Sequence, residues 1–113
     1  MTRLAVIFAA CVGLVAIPAF AQQALSGDEI KALVTGKIIE TSGGIISYKA
    51  DGKYEYYGKS NGATFRGKWS IRGDQVCVDF DAGDKRCDRY VKDGSRISLK
   101  NSQGALFPVT AVK

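Results

Sequence analysis

Cys77 and Cys87 stand ten positions apart in VCVDFDAGDKRC, residues 76–87. Paired cysteines serve three chemistries: zinc binding, thiol redox exchange and structural cross-linking. A zinc site needs about four ligands, and the chain has no histidine. Redox pairs more often read CxxC at a helix start. Here the spacing fits a hairpin. Taken as a three-residue loop, Asp81-Ala82-Gly83 sets Phe80 opposite Asp84, Asp79 opposite Lys85, Val78 opposite Arg86 and Cys77 opposite Cys87. The cysteines then fall on a non-hydrogen-bonded pair, where Cα atoms are about 4.5 Å apart, within the disulfide range of about 4.4–6.8 Å. The expectation is a structural disulfide and no metal.

The missing histidine also removes Ser-His-Asp and Cys-His catalysis. The 11 Asp and Glu sit mostly in turns and caps, where local hydrogen bonding explains them, so no catalytic residue and no cofactor is expected. Arg72-Gly73-Asp74 spells an integrin-type tripeptide that hairpin chemistry accounts for. Arginine and tyrosine remain as groups able to hold a ligand. Two loop readings put Arg86, Tyr90 and Arg96 on one face. Guanidinium forks match phosphate or carboxylate, and a phenol adds a hydrogen bond. Asp88, beside them, would either orient Arg86 or cancel it. Tyr48, Tyr54, Tyr56 and Tyr57 lie within ten residues. A half-buried sheet favours tyrosine, but such a set could also be an aromatic platform for a carbohydrate, a lipid headgroup or a protein. The candidate ligand-binding residues are Arg86, Tyr90, Arg96, Tyr54 and Tyr56.

These side chains need strands to carry them. In LSGDEIKALVTG, Ser26 and Glu29 have capping-box spacing, Leu25 and Ile30 that of a hydrophobic staple, and Gly36 suits the stop. A short helix is predicted over 27–35. Beyond it, glycine-bearing turns recur about every ten residues, at 42–44, 51–52, 61–62, 73–74, 81–83, 93–94 and 103–104, the mark of an all-β meander, sandwich or barrel. Gly73-Asp74 as a two-residue turn pairs Ile71 with Val76, Trp69 with Val78, Gly67 with Phe80 and Lys68 with Asp79, one face apolar and the other charged. Ala50-Asp51-Gly52 as a three-residue loop pairs Tyr48 with Tyr54 and Ile46 with Tyr56. A Lys92-Asp93-Gly94 loop sets Arg96 opposite Tyr90 and leaves Cys87, Val91, Ile97 and Leu99 on the other face. Arg86, Asp88 and Tyr90 share a face with Val76, Val78 and Phe80. Either a polar cluster points inward, or the sheet changes its buried side and the arginines reach solvent. Phe65, Trp69, Ile71, Val76, Val78 and Phe80 are expected in the core. Pro108 cannot donate to a ladder, so LFPVTAV is expected as an edge strand.

The chain opens MTRLAVIFAACVGLVAIPAFA. A positive start, an apolar run shorter than the roughly 20 residues of a membrane span, and Ala19-Phe20-Ala21 before the cut read as a cleaved secretory signal over 1–21. That leaves 92 of the 113 residues as a single β domain, 22–113. Losing Arg3 lowers the net charge from +5 to +4, spread without a basic run. The expected location is periplasmic or secreted, with no nucleic-acid partner and no membrane span after cleavage. An oxidising compartment suits the disulfide.

The stretch YKADGKYEYYG…GATFRGKWSIRGDQVCVDF…KRC resembles the small exported lipocalin-like proteins of Gram-negative bacteria, with Gly67, Trp69, Gly73, Asp74, Cys77 and Cys87 carrying the match over roughly residues 30–100. The resemblance implies a β-barrel-like fold and an envelope location. The expected fold is mainly β, an antiparallel meander of about eight short strands forming a lipocalin-like or flattened barrel, with one N-terminal helix and a hairpin disulfide. The expected function is a non-catalytic binding module of the bacterial envelope whose partner is an anionic glycan, a lipid or a protein. The alternative is a small stapled protein inhibitor of an enzyme.

Overall fold

The computed structural model describes residues 22–113; the leader expected over 1–21 lies outside the described residues. The short strand β1 (Gln23–Ala24) leads into helix α1 (Gly27–Val34). The Ser26 hydroxyl accepts the Glu29 N–H at 3.1 Å, and the Glu29 carboxylate accepts the Ser26 N–H at 2.8 Å. Two of the four orphan donors at the helix start are thus satisfied. Eight strands follow: β2 (Lys37–Thr41), β3 (Gly44–Tyr48), β4 (Lys53–Gly58), β5 (Thr64–Arg72), β6 (Gln75–Phe80), β7 (Lys85–Asp93), β8 (Arg96–Lys100) and β9 (Leu106–Val112). Each pairs antiparallel with the next, and β9 returns to β2, so the meander closes into an eight-stranded barrel. β1 lies against the end of β7, with Ala24 opposite Val91.

The turns set the register. Gly73-Asp74 gives the expected pairs from Gly67–Phe80 to Ile71–Val76. The loop ending at Gly52 gives Tyr48–Tyr54 and Ile46–Tyr56. The loop ending at Gly83 gives Asp79–Lys85, Val78–Arg86 and Cys77–Cys87, and the cysteines are bonded, with Cα atoms 4.0 Å apart.

Three expectations are corrected. The β7–β8 connection is a two-residue turn at Gly94-Ser95, with Gly94 at φ 65°. It sets Asp93 opposite Arg96 and Tyr90 opposite Leu99. The slip of three positions moves Ile97 and Leu99 to the inner face and takes Arg96 away from Tyr90, because strand faces alternate with period two. Secondly, β9 has a neighbour on each side and is no edge. The Pro108 carbonyl accepts from the Ser42 N–H at 3.2 Å, just past the end of β2. Since a strand residue's N–H and C=O point the same way, the missing donor falls where that ladder has already ended. Thirdly, Phe65 shares the inner face but is 43% exposed, because its end of the barrel is uncovered.

Inward residues fill the barrel. Ile39, Ile46, Tyr48, Tyr54, Val76, Val78, Tyr90 and Leu99 are buried, with Trp69, Ile71 and Phe80 packed against them. Tyr48 meets Tyr54 and Trp69 edge-on, each at 5.5 Å between ring centroids, a geometry worth about 0.5–1.5 kcal/mol beyond area burial. Outward positions carry Lys53, Glu55, Arg66, Lys68, Asp79, Lys85 and Arg89, the reverse of a lipid-facing barrel with its apolar outer band. Among the described residues no helix is long and apolar enough to cross a membrane.

Helix α1 packs on β2 at one side and on β5 and β6 at the other. These strands face each other across the ring, so the helix lies over one end and stoppers it. Ile30 and Val34 are fully buried in the barrel core, each contributing roughly 1.5–3 kcal/mol by burial. The helix start is held on the β5–β6 turn, where the Gly27 N–H donates to the Asp74 carboxylate at 3.0 Å. A Cβ at Gly27 would lie 2.1 Å from the Gly73 carbonyl oxygen, so only glycine permits this approach. Asp74 of the Arg-Gly-Asp tripeptide is thereby taken up in the fold. The other end, ringed by the 42–43, 59–63, 81–84 and 101–105 connections, has no such cover among the described residues.

Candidate functional site

At the open end, strand alternation turns Arg86 and Asp88 of β7 inward, over Val78 and Val76 of β6. The polar cluster therefore points into the barrel. Arg86 Nε donates to Asp88 Oδ2 at 2.9 Å, and its Nη2 crosses the interior to donate to the Tyr54 hydroxyl at 2.9 Å. The guanidinium carbon lies 5.6 Å from the ring centres of both Tyr56 and Phe80, within cation–π reach. Asp88 is 2% exposed, and among the described residues its Oδ1 has no hydrogen-bond partner. Leaving a buried charged acceptor unpaired costs about 1–3 kcal/mol or more.

The electrostatics follow from burial. Burial pushes the Asp88 carboxyl above its usual pKa, and the Arg86 charge and hydrogen bond only partly offset this. Burial also works against the Arg86 charge, but Tyr54 and Asp88 outweigh it and its pKa moves up, so it stays a cation. Beneath this layer the Tyr48 and Tyr90 hydroxyls share a hydrogen bond of 2.8 Å. Both phenols are raised, chiefly by burial.

A cavity of about 110 Å³ stands over Asp88 and Arg86, walled by Ile46, Tyr56, Leu99 and Phe107 and rimmed by Thr41, Gly43 and Asn101. Local structure shapes it. The Thr41 hydroxyl accepts the Gly43 and Gly44 N–H groups, each at 3.1 Å, folding the β2–β3 turn. A Cβ at Gly44 would lie 2.5 Å from Tyr56 Cε1, so glycine there lets the Tyr56 ring lie against the wall. Asn101 Oδ1 accepts from the Gln103 and Ala105 N–H groups and folds the β8–β9 loop. Tyr56 and Arg86 also border a second recess of about 340 Å³, lined by Phe65, Phe80, Ala82, Asp84 and Lys85. Phe65 stacks on Tyr56 at 6.1 Å.

Of the candidate residues, Arg86, Tyr54 and Tyr56 come together at this mouth. Tyr90 is on the same face but one layer down and fully buried. Arg96 is elsewhere: it lines a groove on the outer wall along β8 and β9, near the stoppered end. Sequence reasoning missed Phe107 and Thr41. The apolar alternation Phe107, Val109, Ala111 was the available signal for an inward face on β9. Among the described residues no three His, Cys, Asp or Glu side chains are grouped to hold a metal ion. The site thus offers a neutralised ion pair, one unfilled acceptor and aromatic walls. Comparisons with family models, with curated proteins and with solved structures each return no match for this chain.

Proposed function

We propose that the protein is a non-catalytic binding module of the bacterial envelope, exported to the periplasm or beyond, that takes a small amphipathic ligand in the open mouth of its barrel. One observation carries this reading: Asp88, whose Oδ1 is buried and unpaired, lines a cavity instead of close-packed core. Buried polar groups are normally satisfied within the fold. Pockets for small ligands combine apolar walls with a few polar groups that fix orientation, as Tyr56, Phe107 and the Arg86–Asp88 pair do here. The disulfide and the resemblance to small exported lipocalin-like proteins support an envelope location. An envelope lipid or glycan is the kind of partner such a mouth suits. The case for an anionic one rested on two arginines, of which Arg96 lies on the outer wall and Arg86 is already paired.

The test is an amide NMR titration of the purified protein with octyl glucoside below its micelle concentration. Shifts are expected at Thr41, Arg86, Asp88, Asn101 and Phe107. Shifts confined to the outer strand faces or to α1 would overturn the assignment of the mouth.

A further inference from the structure

We propose that the mouth selects a neutral head group that both donates and accepts hydrogen bonds, a primary carboxamide or a hydroxyl, over a carboxylate or an ammonium. This rests on the reading that the mouth holds a ligand, and adds which ligand chemistry it takes. Asp88 is 2% exposed, its Oδ2 is taken by Arg86, and its Oδ1 faces no donor among the described residues. A ligand that answers Oδ1 brings an N–H or O–H. Arg86 has five N–H donors, of which one goes to Asp88 and one to Tyr54. The guanidinium thus has donors to spare beside the same cavity, and an acceptor on the ligand would answer them.

Charge decides the rest. With Arg86 Nε and Asp88 Oδ2 only 2.9 Å apart, a head group in this cavity, which both residues line, lies close to both charges. A carboxylate would gain Arg86 and meet Asp88; an ammonium would gain Asp88 and meet Arg86. Each pairs one attraction with one repulsion beside a carboxylate that is 2% exposed, where screening by water is reduced, and each must also shed its own hydration. A carboxamide brings no net charge. Its N–H suits Asp88 Oδ1 and its carbonyl suits Arg86. Size agrees: about 110 Å³ is somewhat less than the roughly 150 Å³ that holds one benzene. A head and a few carbons enter, and an apolar remainder lies in the adjoining recess by Tyr56, Phe65 and Phe80.

The experiment compares hexanamide, 1-hexanol, hexanoate and hexylamine at pH 7 by NMR titration, with N-acetylglucosamine as a head without a chain. Hexanamide and 1-hexanol should bind at least about tenfold more tightly than the two ions. N-Acetylglucosamine ahead of hexanamide would support the same head on a sugar; the reverse order would support it on an apolar chain. In Asp88→Asn, Arg86 loses its counter-charge, so hexanoate should gain about tenfold relative to hexanamide. Should that variant not fold, as judged by near-UV circular dichroism, the wild-type ranking still decides. Hexanoate or hexylamine binding tightest to the wild type overturns the proposal while leaving the mouth as a binding site. No shift at the mouth with any probe overturns both readings, leaving Asp88 Oδ1 to water alone.

Discussion

Removing the Cys77–Cys87 bond should lower stability by an amount the topology sets. The two residues are separated by 10 positions. Closing a loop of that length removes roughly 9 cal/mol/K from the unfolded chain, about 2.7 kcal/mol at 25 °C. For a domain of this size each kcal/mol moves Tm by about 4–8 °C, so Cys77→Ala/Cys87→Ala should melt on the order of 10–20 °C lower. The bond stands on the outer face of β6 and β7, and no inward side chain depends on it for packing. The loss should therefore be general, with the Arg86–Asp88 pair still formed at low temperature. Thermal unfolding by circular dichroism, of the double variant and of wild type with and without reductant, measures the effect. A fall under about 4 °C would show that the β6–β7 ladder already orders this hairpin in the unfolded ensemble and that the loop-entropy reasoning fails here.

Tyr48→Phe should cost about 1–3 kcal/mol, because it strands the Tyr90 hydroxyl in the core, whereas Tyr48→Phe/Tyr90→Phe should cost clearly less than the two single losses combined. Urea unfolding of the four proteins measures this, and additive costs would mean that the 2.8 Å hydroxyl pair is not coupled. Burial, partly opposed by Arg86, pushes the Tyr54 phenol up to about 12, against about 10 in the unfolded chain. The folded state thus holds the extra proton between pH 10 and pH 12, so this stability is full below pH 10 and is lost as pH rises towards 12, by roughly 3 kcal/mol at the upper limit. Tyr54→Phe should flatten the alkaline fall of Tm relative to wild type, and parallel curves for the two proteins would contradict the assignment.

Turn glycines made most of the barrel legible. Each of the three hairpins read at Gly52, Gly73 and Gly83 had a loop length that turn chemistry sets and a pairing that side chains could check. The β7–β8 turn was misread because Asp93-Gly94 allows glycine as the last residue of three or the first of two. The cross-strand partners could not decide, since Tyr90 is compatible with either Arg96 or Leu99. One such slip moved Arg96 from the outer wall into the proposed site. Pro108 misled for a different reason: its missing donor excludes a continuous ladder only where a ladder exists, and β2 ends at Thr41. The direction of Arg86, Asp88 and Tyr90 was open in the sequence because it depends on closure. In a flat sheet an inward Asp88 would have no Arg86–Tyr54 bridge above it, whereas in a ring Tyr54, three strands away, comes within 2.9 Å of Arg86.

Among the described residues, the helix across one end and the packed core beneath the mouth leave the barrel interior a single opening. Whatever enters must leave by the route it took, so loading and release share one gate, the four connections around the rim. On the proposed reading, such a site would hold a molecule and would not conduct one from side to side. If the mouth holds a ligand as proposed, delivery requires the recipient to come to the same opening, and changes to rim residues should alter arrival and departure together.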